Sequence, residues 1–185
     1  MLRLRYGGLI SAESLAQQAL RGEPALLPVG LTESRGDLPI NYWVEAAVLV
    51  SLEAANASGG VVLPPLYLYV AEEPDANLML RALEEAVVML RGLGFRKILI
   101  IALHPWCGSF LRNNKIWKEV VVVDLGKHFP PEKLLKAVRV RLSVGVNTGV
   151  SSEDFKEGVR TWRELVRYIA REIRASKRQC SSTAT

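Results

Sequence analysis

The sequence predicts a single three-layer α/β/α domain built on a mostly parallel sheet. Three observations carry this. Short, predominantly apolar runs recur along the chain, at residues 25–30, 61–63, 97–103 and 119–124. Stretches with apolar residues at helical spacing alternate with them, and glycine, proline or polar clusters separate the two kinds. Strands apolar on both faces are those of a parallel sheet covered by helices on each side.

Residues 11–20 read as a short helix with Ser11 at its N-cap, stopped by Arg21-Gly22-Glu23-Pro24. A buried strand follows at 25–30 and opens into a charged, turn-rich loop at 31–41. From 42 to 56, Val44, Ala47, Val48, Leu52 and Ala55 recur at helical spacing, and Ser58-Gly59-Gly60 closes the helix. The strand at 61–63 leads through Pro64-Pro65 to an aromatic stretch, Leu66 to Val70. Residues 75–92 form a helix whose inward face is read as Leu78, Ala82, Leu83, Ala86 and Leu90. Residues 97–103 are the central strand, running directly into His104-Pro105-Trp106-Cys107-Gly108-Ser109. The run at 119–124 is a further buried strand, and helices are expected at 131–141 and within 151–175. Residues 1–175 are read as one domain and 176–185 as a flexible polar tail.

Composition bounds the class. With 185 residues and 49% hydrophobic content the chain can bury a substantial core, which excludes a disordered or fibrous protein. No apolar run reaches the roughly 18 to 20 residues of a membrane span, and the N-terminus has no signal-peptide pattern. The two cysteines, Cys107 and Cys180, lie in unlike contexts, so a reducing cytoplasm is expected rather than a disulfide framework. The net charge is +5, but the basic residues are read as dispersed. Those of the last helix, Arg160 to Arg178, are read as a solvated face with i,i+4 ion pairs to Glu157, Glu164 and Glu172. Neither a nucleic acid nor a membrane is expected as a partner.

In parallel α/β folds, ligands bind beyond the carboxyl ends of the strands, which selects the segments 30–41 and 104–109. The first reads Pro28-Val29-Gly30-Leu31-Thr32-Glu33-Ser34-Arg35-Gly36-Asp37-Leu38-Pro39. It resembles the creatininase-family signature P-V-G-S-x-E-x-H-G-x-H-L-P, followed by an Asp on the next turn. That family includes creatinine amidohydrolases and an archaeal formamide deformylase. The resemblance extends through Val61-Val62-Leu63-Pro64-Pro65, the strand after Gly94, and the closing helix. It implies a creatininase-like fold and assembly into a homo-oligomer.

The family's chemistry, as the resemblance implies it, uses two divalent metals held by Glu, His and Asp, with a bridging hydroxide attacking an amide carbonyl. Glu33 falls on the family's Glu. Arg35 stands where the first His belongs, Asp37 lies near the second in a loop one residue shorter, and Trp43 replaces a ligand Asp. His104 matches the His of N-G-H-G-G-N, with Trp106 and Cys107 in place of small residues. The later H-A-G-x-x-E-T-S segment has only His128 with Glu132 as its nearest candidate.

A guanidinium beside a metal opposes binding by about 1 to 4 kcal/mol, and an indole supplies no ligand. The expectation is therefore a creatininase-like protein with a largely lost metal site, serving as a ligand-binding or assembly homologue. No cofactor is expected in that case. Arg35, Trp43 and Trp106 are the candidate ligand-binding residues, toward a small anionic or amide ligand. The alternative is a divergent hydrolase of a cyclic amide or formamide, with zinc or manganese held by Glu33, Asp37, His104 and Cys107. The plainer expectation for Cys107 is a small buried hydrophobe.

Overall fold

The computed structural model of the protein describes residues 7–9, 11–33, 38, 40–69, 76–113, 120–142 and 151–181. Its elements run α1 (Ala12–Leu20), β1 (Ala25–Thr32), α2 (Tyr42–Ser58), β2 (Val61–Val62), β3 (Leu66–Tyr69) and α3 (Ala76–Gly92). There follow β4 (Ile98–Ala102), α4 (Pro105–Asn113), β5 (Val120–Asp124), α5 (Pro131–Arg141) and α6 (Ser152–Ser181). Among the described residues, the strands β1 to β5 all pair in parallel.

Strand β1 lies at the centre of the topology. Residues Ala25 to Val29 pair with Ile98 to Ala102 of β4, and β4 pairs in turn with β5. On its other side β1 pairs first with β2 and then, from Val29 to Thr32, with β3. Two short strands thus share one position, interrupted at Pro64-Pro65, just after the Leu63 N–H donates to the Leu26 carbonyl at 2.9 Å. Proline has no amide hydrogen to donate there.

The chain moves from β1 outward to β2 through α2, then back across β1 to β4 and on to β5 through α3 and α4. Right-handed crossovers place helices of opposite travel on opposite faces. The core divides accordingly. Leu26, Leu99, Ile101, Leu103 and Val123 pack with α2, α5 and α6. Ala25, Leu27, Val29, Leu31, Ile98 and Ile100 pack with α1, α3 and α4. Successive strand residues alternate between the two clusters, so the apolar runs are continuous because both faces are covered. Each fully buried aliphatic side chain contributes about 1.5 to 3 kcal/mol.

The predicted three-layer architecture is therefore the observed one, with four differences of detail. In α3 the inward residue of the first turn is Met79, while Leu78 is 67% exposed. The helix has a second apolar phase, shared by Leu78, Val88 and Met89, which remains outside. Strand β5 is only half-buried over Val120 to Val122; among the described residues it pairs with β4 on one side.

The remaining two differences concern α6. The helix continues through Ser181, beyond the boundary placed at 175. Ser176 is buried, and Lys177 Nζ reaches Glu23 Oε2 at 2.8 Å. Glu23 also accepts the Gly60 N–H, so one carboxylate ties α6 to the turns before β1 and β2. Nor does α6 form the i,i+4 ion pairs expected of it. Glu157 turns to Lys136 of α5 at 2.6 Å, and Glu172 meets its neighbour Arg171 at 3.5 Å. Among the described residues, Glu164 has no ion pair. No helix of the described residues is long and apolar enough to cross a membrane.

Candidate functional site

The order of the strands reverses direction between β1 and β4, and the crevice above that point is where doubly wound sheets bind ligands. Glu33 directly follows β1, and His104 lies two residues beyond the end of β4. Gly30 brings the third component close. A Cβ there would lie 2.8 Å from Val44 Cγ2, so only glycine lets the first turn of α2 pack this tightly on β1. That approach puts Tyr42 and Trp43 against Glu33.

The Glu33 carboxylate is the hub. Its Oε1 accepts hydrogen bonds from the Tyr42 hydroxyl and, at 2.7 Å, from Trp43 Nε1. Its Oε2 faces His104 Nε2 at 3.7 Å. The His104 ring stands edge-on to Trp43, with centroids 5.5 Å apart and planes at 88°. Its Nδ1 accepts the Trp106 backbone N–H at 3.2 Å, which places the proton of the neutral ring on Nε2. Tyr42 and Trp43 are buried, whereas the Glu33 side chain is 37% exposed, so the pair opens outward from a closed base. On the rim, Glu45 Oε1 accepts from Asn41 Nδ2 at 2.9 Å and from the Tyr67 hydroxyl at 3.0 Å.

The predicted site residues divide clearly. Glu33, Trp43 and His104 are brought together. Trp43, expected to leave a gap in a ligand set, instead donates to the carboxylate. Trp106 contributes through its backbone, and its ring stacks on Phe110 at 5.1 Å. The segment 104–109 is mostly helical, since α4 starts at Pro105. Arg35 and Asp37 lie outside the described residues. His128 hydrogen-bonds the Tyr168 hydroxyl at 2.7 Å.

Sequence reasoning assigned no role to two residues here. Tyr42 stands in the sequence only as the first residue of the helix expected at 42–56. Asp124, buried at the end of β5 beneath α4, was visible as the single charge closing a run of four valines.

Cys107 is fully buried, and burial pushes its thiol up to about 12, with a smaller upward push from Glu33 and Asp124. A backbone hydrogen bond with Leu31 opposes the shift. A thiol held protonated is a poor nucleophile, and its full burial is that of a small apolar side chain. In a Cys180→Ser variant, Ellman's reagent at pH 8 should find no reactive thiol in the native protein and one after denaturation. Rapid labelling of the folded variant would contradict this placement.

Two features bear on metal binding. Both hydrogen bonds to Glu33 Oε1 occupy lone pairs that a metal would need, and Nδ1 of His104 is engaged. Among the described residues no three His, Cys, Asp or Glu side chains gather at ion-holding distance. Among the described residues, the candidate ligands brought together are Glu33 and His104, fewer than the three or more protein ligands that a zinc site ordinarily takes.

Fold and site together define a doubly wound α/β domain with a carboxylate–imidazole pair at its switch point. Among solved structures, the same fold is that of creatininases. A creatininase mutant complexed with creatine superposes with a TM-score of 0.74 at 14% identity, covering 95% of this chain and 99% of that one. A second creatininase mutant gives 0.72 at 15%, covering 92% and 98%. A creatininase described with Mn gives 0.59 at 18%, covering 84% and 69%. No family model and no curated protein matches the sequence. The fold is creatininase-like, as the signature around Glu33 implied.

Proposed function

We propose that this chain is a creatininase-fold protein that binds a small amide at the Glu33–His104 pair and does not house a two-metal hydrolytic centre. The observation that carries the reading is the bonding of Glu33. Its Oε1 is bonded by Tyr42 and Trp43, and its Oε2 is the oxygen turned toward His104 at 3.7 Å. Beside it stands His104 Nε2, a donor in the neutral ring. An acceptor next to a donor complements the N–H and C=O edge of an amide, most directly a cyclic one in which both groups point the same way. Buried Tyr42 and Trp43 hold the carboxylate in place from beneath.

Creatininases of known structure include forms described with Mn and as Zn-Zn type. A divalent ion is accordingly the competing occupant, favoured by the 3.7 Å approach of the two side chains. Self-assembly and a cytoplasmic location, which the resemblance and the cysteine usage suggest, belong to the same proposal.

The test uses protein purified without chelators, dialysed after addition of zinc and manganese, and examined by elemental analysis and by titration calorimetry with creatinine and a simple lactam. Expected are sub-stoichiometric metal, measurable heat with an amide, and loss of that heat in Glu33→Gln and His104→Ala. Near-stoichiometric metal that falls in Glu33→Ala, together with amide hydrolysis, would overturn the proposal in favour of the hydrolase.

A further inference from the structure

The dispersed appearance of the basic residues does not survive their placement on one helix. Lys156, Arg160, Arg163, Arg167, Arg171, Arg174 and Arg178 follow the spacing i, i+4, i+7, i+11, i+15, i+18 and i+22. At 3.6 residues per turn these positions form one stripe, about 33 Å long at 1.5 Å per residue. All seven are exposed. The opposite face of α6, with Trp162, Leu165, Ile169 and Ile173, is buried in the core.

The carboxylates that would neutralise such a stripe are engaged elsewhere or sit at its flank. Glu157 is held by Lys136 and Lys133. Asp154 also pairs with Lys136. Arg171 pairs with Glu172 at 3.5 Å and lies over the Tyr168 ring. Among the described residues, Lys156, Arg160, Arg163, Arg167, Arg174 and Arg178 have no ion pair. The first half of the stripe borders a groove of about 390 Å³ whose apolar surface comes from Phe155, 46% exposed, and Val159, with Glu164 its one acidic member.

From this we infer that the exposed face of α6 binds the phosphate backbone of single-stranded nucleic acid. Three features select this occupant. A straight row of cations complements a linear polyanion better than a compact acidic patch on a protein. Six of the seven are arginines, whose planar forks match phosphate oxygens. Phe155 offers an exposed ring beside the cations, and only an unpaired strand has bases free to stack on it. A lipid surface fits less well, because an interfacial helix inserts an apolar face and that of α6 is already used. This surface is distinct from Glu33 and His104, and neither proposal depends on the other.

Fluorescence anisotropy of a labelled 20-nucleotide oligo(dT) with the full chain tests the inference. Binding should fall steeply with salt. Six phosphate contacts give a log–log slope of about −4, or roughly 300-fold between 50 and 200 mM. Arg160→Glu/Arg163→Glu/Arg167→Glu should lose at least about 30-fold with unchanged circular dichroism. The triple glutamine variant, which keeps helix propensity and adds no negative charge, should lose about 10-fold. Phe155→Ala should weaken binding about fivefold or more, without changing the salt slope. No binding at 50 mM salt, or undiminished binding by the folded glutamine variant, would overturn the inference. So would polyglutamate binding as tightly as the oligonucleotide, or sedimentation with phosphatidylserine vesicles in place of oligonucleotide binding.

Discussion

Gly108→Ala should destabilise the protein by about 2 to 3 kcal/mol, although helix propensity alone predicts the opposite sign. Exchanging glycine for alanine inside a helix ordinarily gains about 1 kcal/mol. Gly108 lies within α4, and its amide donates to the His104 carbonyl at 3.2 Å. A Cβ at this position would meet Asp124 Oδ1 at 2.0 Å and Cγ at 2.2 Å. Contacts that short force one group to move. The Asp124 carboxylate is not the free end of a flexible chain: it is buried and accepts the Lys127 N–H at 3.2 Å. Steric cost therefore exceeds propensity.

For a chain of this length the loss corresponds to a fall in Tm of about 4 to 10 °C. A double-mutant cycle with Asp124→Ala isolates the cause. Shortening Asp124 should restore part of the stability in the alanine background while costing stability in the wild type. A coupling above about 1 kcal/mol is expected for groups in direct contact. If Gly108→Ala melts at or above the wild-type temperature, the packing of α4 on β5 described above is wrong.

How far the sequence foretold this structure depended on the range of the interactions. The strands were legible because burial on both faces leaves an unbroken apolar run, a purely local signal. That the segments carrying Glu33 and His104 lie at strand ends was legible too, because each directly follows an apolar run. Leu83 and Leu90 of α3 are buried as expected, but its first turn was misplaced by one residue because two apolar phases overlap there, and only packing selects Met79 over Leu78. The end of α6 was placed too early because its polar residues look like a tail until Lys177 meets Glu23, a partner 154 positions away.

Charge was misread for a related reason. Arginines and glutamates alternate along the sequence of α6, but helical geometry sorts the arginines into one stripe while α5 draws off Glu157. Glu33 was legible as a position; its bonding was not. Tyr42 and Trp43 lie nine and ten residues downstream, and only the close packing of α2 at Gly30 brings them to the carboxylate.

That bonding leads to the other large expected effect. Trp43→Asp restores the residue type that the family pattern has at this position, yet it should unfold the protein instead of rebuilding a metal centre. The Trp43 side chain is 2% exposed and belongs to the core cluster with Leu38, Ala46 and Ala47. Removing a buried indole costs about 3 to 5 kcal/mol in cavity and lost transfer free energy. The new carboxylate would also stand where a donor now serves Glu33 Oε1 at 2.7 Å. Two like charges, one of them buried, add several kcal/mol or force one to protonate.

Against a total stability of about 5 to 15 kcal/mol, that sum leaves little folded protein. Trp43→Phe separates the contributions, because it retains most of the ring and loses only the N–H. Its cost should be about 1 to 3 kcal/mol, with the fold intact. Urea unfolding followed by circular dichroism measures both variants, and elemental analysis with added zinc completes the comparison. A Trp43→Asp protein that stays folded and takes up stoichiometric zinc would mean that the crevice remains a metal centre one substitution from its usual form. An unfolded Trp43→Asp beside a folded, metal-free Trp43→Phe would mean that the indole now serves as both core and hydrogen-bond partner, and that Glu33 is built to face a ligand.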